Sequence, residues 1–531
     1  MAPAEYGHSI EAENKGMDAG GDGIGREGRL TPDRAGARVA TPWRSTPFLL
    51  AALALWLAAT AGLRPLALPD EGRYASVAYE MLHGDGLVPT LDGLPFFHKP
   101  PLFYWIDIGA MKAFGANAFT VRFGSLVGAW ILGAALFGFV RARHGPALAR
   151  TALLVLATCP FYFLAAQYAN HDMLVAGLIT AAVLAFVQAA DATRRARLGW
   201  TLAAWAACGL ALLSKGLIGV ALPALVVGPW LLAQRRWRDV LALLHPLGLA
   251  AFAVIALPWM FAMQVRFPGF FDYFIVEQHF RRYAASSFNN VQPFWLLPVA
   301  FVLATLPWSA WLALRARHVA VRRPRDAGLM LWWVVAILAF FSIPSSKLVG
   351  YVLPALAPWC MLVSLALRDP LPPWPRVRAS AALGALVSLG VVGVLAWQAP
   401  KSNRSVAAAL GRGLAPGDAV VLVDDAFYDV PFLARLAAPP LVASDWSDPG
   451  IARRDNWKKE LADAARFDPA AAARVLVPSA RLHMLACGSG RVWFVLKPGS
   501  AAHWLDRVPG AERVQAGAHA ELWRAARRPC P

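Results

Sequence analysis

The residues of this chain equipped for chemistry fall in short polar breaks between long apolar runs. Asp70 and Glu71 open the segment Leu68-Pro69-Asp70-Glu71-Gly72-Arg73-Tyr74. A carboxylate held there can take up a proton or bind an amine or hydroxyl, although acids also simply favour a helix N-terminus. Farther on, Phe96-Phe97-His98-Lys99-Pro100-Pro101 sets Lys99 on a proline-stiffened backbone beside aromatic residues. Such a lysine can neutralise a phosphate, or snorkel its ammonium to a membrane surface. Asp172, in Asn170-His171-Asp172, lies at the edge of an apolar run, where an acid costs about 2.5–3.5 kcal/mol near a bilayer centre and is functional or paired by default. Ser214-Lys215-Gly216 adds a second lysine beside a glycine that permits close approach, and Ser345-Ser346-Lys347 with Tyr351 repeats the pattern. Between them, Glu277-Gln278-His279-Phe280-Arg281-Arg282 carries basic residues that call for an anion or for pairing with Glu277 or Asp272.

The elements that position these groups follow from composition. The chain has 531 residues, 58% hydrophobic and 16% charged, against roughly 25% charged in an average soluble domain. That excludes disorder, a coiled coil and a disulfide scaffold. Eleven runs have the length and polarity of membrane-crossing helices, near 47–65, 119–140, 151–168, 173–190, 199–213, 217–233, 240–263, 292–314, 327–343, 348–367 and 379–399. The formal charge of +18 is unevenly spread. Seventeen arginines occupy five alternate loops, and with Asp191, Asp239, Asp326 and Asp369 they leave +13 there, which the positive-inside rule assigns to the cytoplasm. A nucleic-acid partner therefore loses its support. Asp70, Lys99, Asp172, Lys215, Arg281, Arg282 and Lys347 fall in the opposite, extracytoplasmic loops.

The expected architecture is an all-α polytopic membrane protein with a small C-terminal α/β domain. Residues 1–46 read as a disordered cytoplasmic tail, 47–399 as the transmembrane domain with a long first outer loop at 66–118, and 400–531 as the outer α/β domain. In the last, runs at 419–423, 474–477 and 491–497 have strand character. Cys159, Cys208 and Cys360 lie in spans as small apolar packers, whereas Cys487 and Cys530 share the outer compartment and are able to pair.

The first loop resembles a known family. Asp70-Glu71-Gly72-Arg73-Tyr74, the Met81-Leu82 before Gly84-Asp85, the run Gly93-Leu94-Pro95-Phe96-Phe97-His98-Lys99-Pro100-Pro101, Phe114-Gly115 and Arg122 are similar to the bacterial aminoarabinose lipid A transferases. More broadly they resemble the protein O-mannosyltransferase-related glycosyltransferases of type C fold, which use lipid-linked sugars. The likeness implies a glycosyltransferase of the bacterial inner membrane that takes a hexose or pentose from undecaprenyl phosphate to lipid A, in lipopolysaccharide modification, or to another extracytoplasmic acceptor. Protein O-glycosylation is the alternative within the family. It implies catalytic roles for Asp70 and Asp172, donor-phosphate contacts from Lys99, Lys215 and Lys347, and substrate contacts from Tyr74 and Tyr351; the residues' own chemistry and position add Glu71 as a catalytic acid, Arg281 and Arg282 as donor-phosphate contacts and Arg73 as a substrate contact. No cofactor is required. His98 stands where the family often has Glu, which puts in doubt a family metal contact; His98 and His279 remain candidates for a structural divalent metal such as zinc.

Inverting, single-displacement transfer without a nucleotide sugar is the expected chemistry, because the sequence has no Gly-rich dinucleotide loop and its acids face outward. Partners are then the polyprenyl-linked sugar, its acceptor and membrane lipids. A transporter would gather its charges at the bilayer midplane of related halves. An O-antigen ligase lacks this first-loop signature, and a non-catalytic scaffold leaves the clustered acids and lysines unexplained.

Overall fold

The computed structural model describes residues 45–281, 291–322, 326–368, 373–398, 402–487, 490–506 and 508–526. Arg282, Cys530 and the tail up to residue 44 lie outside the described residues. After α1 (Thr46–Ala58), the first loop holds α2 (Asp70–His83), the antiparallel pair β1 (Thr90–Leu91) and β2 (Leu94–Pro95), and α3 (Leu102–Phe114). There follow α4 (Phe123–His144), α5 (Pro146–Ala157), α6 (Pro160–Ala166), α7 (His171–Asp191), α8 (Arg194–Lys215), α9 (Ile218–Ala233), α10 (Trp237–Leu243) and α11 (Pro246–Arg266). A π-helical segment at Asp272–Arg281 precedes α12 (Leu296–Ala304), α13 (Trp308–Arg322) and α14 (Ala327–Ser342). A 3₁₀ turn, Val349–Ala355, runs into α15 (Leu356–Ala366), and α16 (Trp374–Gln398) ends the membrane part.

Each predicted span has a helical counterpart, but not all are single straight crossings. Among the described residues, six helices are long and apolar enough to cross a membrane, or up to eight if each of two bent pairs is one span. The pairs are α5 with α6, bent by 64°, and α12 with α13, bent by 103°. Prolines stand at both breaks, Pro160 and Pro307, where a missing N–H and the ring's clash with the preceding turn end a helix. The other three, α1, α9 and α14, have 13, 16 and 16 residues. Expected to reach residue 65, α1 stops at Ala58, and the turns after it carry Arg64 into a buried ion cluster. An arginine cannot stay unpaired in hydrocarbon.

The most buried spanning helix is α7, packed on α4, α8 and α9. Close approach of α4 and α7 depends on Gly128 and Gly177: a Cβ on Gly177 collides with the Gly128 carbonyl, and one on Gly128 with the Leu174 backbone. At the opposite ends of the helices from the first loop, several of the arginines read as topology signals are paired. Arg143 contacts Asp191 and Asp326, Arg236 contacts Asp191 and Asp239, and Arg197 contacts Asp239.

Past α16, the chain forms α17 (Arg404–Gly413), β3 (Ala419–Val423), α18 (Val430–Leu433), β4 (Leu441–Ser444), α19 (Trp457–Ala465), α20 (Pro469–Val475), β5 (Leu476–Pro478), β6 (Arg491–Leu496), α21 (Ala501–Trp504), β7 (Glu512–Ala516) and β8 (Glu521–Ala526). These make one six-stranded sheet in the order β5-β4-β3-β6-β8-β7, parallel through its first four strands and antiparallel at β8 and β7. Its parallel strands are continuous apolar runs, Val421 to Val423 and Val492 to Leu496, as burial on both faces requires. Thr46–Pro531 nonetheless behaves as one compact unit. The joint is α2: Ser76 donates to the Tyr428 carbonyl at 2.6 Å, Tyr79 meets Phe432 edge to face, and a Cβ on Gly72 would lie 2.9 Å from the Asp429 nitrogen. Cys159, Cys208 and Cys360 are buried free thiols, and Cys487 is disulfide-bonded.

Candidate active site

The start of α2 places two neighbouring acids in opposite environments. Glu71 points inward and is fully buried. Its carboxylate accepts from Arg64 at 2.5 and 2.9 Å, from Arg122 at 2.8 and 3.0 Å, and from the Ala67 and Ala169 amides at 2.7 and 2.8 Å. Burial alone would raise its pKa, but Arg122 and Arg64 outweigh that and hold it at about 2. With all its lone pairs engaged and no face on a cavity, Glu71 ties the first loop to the ends of α1, α4 and α7. Where a catalytic contact was expected of Glu71, the geometry gives it structural contacts and no place on the cavity wall.

Asp70 points the other way, into a cavity of ≈ 640 Å³ between the membrane helices and the C-terminal sheet. Its Oδ1 accepts from Arg73 at 3.0 Å, and its Oδ2 lies 3.4 Å from the Tyr168 hydroxyl. Arg73 spans the cavity wall: its other amino group donates to Glu460 on α19 at 2.7 Å, and its guanidinium lies 5.0 Å from the Tyr428 ring centroid. Glu460 therefore helps aim the side chain that aims Asp70. Burial, then the Asp70 charge, pushes the Tyr74 phenol well above its ordinary pKa, so it lines the cavity as a neutral donor.

Across the cavity, Asp172 and Lys215 form an ion pair, and the Lys215 ammonium sits 4.6 Å from the Tyr351 ring centroid. Asp172 follows the N-cap Asn170, whose side chain accepts its amide at 3.0 Å. Gly350 makes room: a Cβ there would lie 2.5 Å from the Asp172 carboxylate. Lys99 lines the same cavity from its proline-bound segment. Three cations thus surround a space whose wall also carries five acids and three tyrosines. That combination can bind an anion and leaves Asp70 able to accept a proton or face developing positive charge.

Two expected phosphate contacts are placed elsewhere. Lys347, 4% exposed, gives its ammonium to the carbonyls of Gln292, Pro344 and Ser345, which holds residues 291–292 against the 344–347 turn. It is structural, because its donors are consumed by main chain. Arg281 is exposed and does not line the cavity, and Glu277, its expected alternative partner, pairs with Lys459 at 3.4 Å. The proposed metal pair does not fit either. Both nitrogens of His279 are engaged, Nδ1 with the Phe274 carbonyl at 2.6 Å and Nε2 with the Leu217 amide at 3.2 Å. His98 stacks on Phe96, 3.8 Å from Glu460. Among the described residues no group of three or more His, Cys, Asp or Glu could hold a metal ion.

The contributions from the C-terminal domain escape a sequence reading. Asp425, Tyr428, Asp455, Asn456, Trp457 and Glu460 close the cavity from above. The one local signal was the run Asp455-Asn456-Trp457-Lys458-Lys459-Glu460, an Asn-capped helix start with an acid that ends up buried.

Known proteins resemble this chain in sequence and in fold. Residues 48–274 match the dolichyl-phosphate-mannose-protein mannosyltransferase family. The undecaprenyl phosphate-alpha-4-amino-4-deoxy-L-arabinose arabinosyl transferase 2 of Sodalis glossinidius is 36% identical over 322 residues, 60% of this chain and 58% of that protein. The corresponding transferase of Pseudomonas aeruginosa is 35% identical over 352 residues, 65% of this chain and 63% of its own length. The chain thus spans about three fifths of the length of the curated relatives it matches. In fold, it superposes on the crystal structure of ArnT from Cupriavidus metallidurans bound to undecaprenyl phosphate with a TM-score of 0.76 at 24% identity, covering 91% of this chain and 98% of that one. This multi-span membrane protein is therefore similar over residues 48–274 to the dolichyl-phosphate-mannose-protein mannosyltransferase family and, over about three fifths of its length, to the aminoarabinose transferases, and it shares the fold of the ArnT crystal structure.

Proposed function

We propose that this chain is an integral-membrane glycosyltransferase that moves a sugar from polyprenyl (undecaprenyl) phosphate to lipid A or another extracytoplasmic acceptor, with inversion. The observation that carries this reading is the make-up of the cavity: Lys99 and the Asp172-paired Lys215, which can stabilise a leaving phosphate, line the same cavity as Asp70, which Arg73 and Tyr168 orient. Electrostatic preorganisation of this kind supplies most of the barrier reduction when charge develops on a leaving group. Asp70 acts as general base if the acceptor is a hydroxyl. If the acceptor is an ionised phosphate no proton need leave, and Asp70 then orients it or offsets positive charge on the ring.

The N-terminus lies in the cytoplasm and the sheet domain on the outer, periplasmic side of the inner membrane; the arginine distribution supports this. Residues 47–399 then act as the transferase domain and 400–531 as its outer cover. Transfer to protein is the second reading, favoured by the description of the matching family. Asp70→Asn in membranes, assayed for transfer from undecaprenyl-phosphate-linked sugar, tests the assignment, and wild-type rates would sink it. Mass spectrometry of lipid A and of glycopeptides, with and without the chain, separates the acceptors.

A further inference from the structure

The C-terminal sheet has a feature that its role as a cover does not use. Its four parallel strands run in the order β5-β4-β3-β6, so the chain leaves β3 toward β4 on one side and leaves β6 toward β7, at the far edge, on the other. Open α/β sheets bind ligands in the crevice beyond the carboxyl ends of two such strands, because the diverging connections leave it uncovered. Here those ends are Val423, followed by Asp424 and Asp425, and Leu496, followed by Lys497. Asp425 reaches across the divide to Lys497 at 3.5 Å, and Asp424 is held by Ser444 at 2.7 Å and by Lys458 at 2.7 Å.

This crevice opens into the catalytic cavity, since Asp425 and Ala426 line it, together with Asp455 and Trp457. The cavity is therefore polarised. Its membrane side carries Lys99, Lys215 and Arg73 beside Asp70 and Asp172, whereas the residues contributed by the sheet domain include three acids and no lysine or arginine. Carboxylates accept hydrogen bonds from hydroxyl and ammonium groups and repel phosphate, and an indole face packs on the apolar side of a sugar ring. Asp425 is 32% exposed on its side chain, within reach of a ligand.

We propose that the switch-point crevice of the C-terminal sheet is a second subsite, which holds an unphosphorylated sugar ring bearing hydroxyl or amine groups while the membrane side holds phosphate. This rests on the transferase reading above. The ring comes either from the donor or from the acceptor.

The test uses the full chain in nanodiscs, as wild type and as Asp425→Asn, Asp455→Asn and Trp457→Ala. Binding of undecaprenyl phosphate, binding of undecaprenyl-phosphate-linked sugar and the KM for acceptor are measured, with saturation-transfer NMR of methyl glucosaminide as a probe independent of the lipid. A lost charge-assisted hydrogen bond predicts an effect of at least about tenfold. The variants are expected to keep wild-type affinity for bare undecaprenyl phosphate and to lose methyl glucosaminide saturation. A tenfold loss confined to the sugar-bearing lipid assigns the ring to the donor; a tenfold rise confined to acceptor KM assigns it to the acceptor. Unchanged values for every sugar-bearing ligand, or an equal loss for bare undecaprenyl phosphate, overturn the subsite. Failure of the wild type to bind undecaprenyl phosphate would instead break the transferase reading, and the glucosaminide signal would still decide the crevice.

Discussion

Replacing Glu71 by Gln keeps the side chain's shape and removes its charge, leaving Arg64 and Arg122 buried around a neutral amide. Removing one partner of a buried ion cluster costs about 3–5 kcal/mol. An independent route gives a similar figure. Glu71 titrates at about 2 instead of its ordinary 4.5, and that displacement corresponds to about 3 kcal/mol of folded-state stabilisation at neutral pH. The sign follows from the lowered value: the contribution is complete above pH 4.5 and is lost as pH falls toward 2. Thermal unfolding of the detergent-purified protein at pH 7.5 should therefore show Glu71→Gln melting lower by roughly 3–6 °C. Between pH 5 and 3 the wild type should lose stability more steeply than the variant, so that the two curves converge. A Glu71→Gln protein with wild-type melting at pH 7.5 but no transfer would refute this reasoning and return Glu71 to the catalytic group.

Three further outcomes follow from the geometry. Gly350→Ala drives a methyl group against the Asp172 carboxylate and should lower transfer at least about tenfold with little change in melting, whereas Val349→Ala beside it should be nearly silent. Glu460→Gln removes the acid that holds Arg73 and should cut kcat about ten- to a hundredfold, with Glu460→Asp recovering part of it; a Glu460→Gln enzyme with normal kcat would show that Arg73 needs no support from the sheet domain. Lys347→Met strands carbonyls of the 291–292 and 344–347 segments and should cost about 1–3 kcal/mol in stability without weakening undecaprenyl phosphate binding, while Lys99→Met should weaken that binding, as titrations of the two variants would reveal.

Much of the molecule was legible beforehand. A bilayer demands apolar helical runs of a set length, so each of the eleven runs has a helical counterpart, although only six to eight among the described residues are long and apolar enough to cross, and the acids and lysines between them stood out because polar groups are costly there. The cavity accordingly gathers Asp70, Arg73, Tyr74, Lys99, Asp172, Lys215 and Tyr351, all recognised from local sequence. Local sequence could not divide Asp70 from Glu71. They are adjacent, alike in chemistry and both at a helix start, and only their directions differ. Nor could it separate Lys347 from Lys215, since a lysine that holds carbonyls and one that pairs with an acid beside a cavity have the same spelling.

What the sequence by itself determined about this protein is its membrane character, the arginine asymmetry that orders its loops, the first-loop motif and an α/β tail. Those depend on interactions that are local or periodic, between residues near in the chain or with the solvent around it. Tertiary structure alone decided which acid faces the cavity, which cations it shares, and that Glu460, Asp425 and Trp457 close it from above. Glu460 meets Arg73 across 387 positions of chain, and a contact of that separation is set by how α2 packs on the sheet domain, which no run of residues encodes.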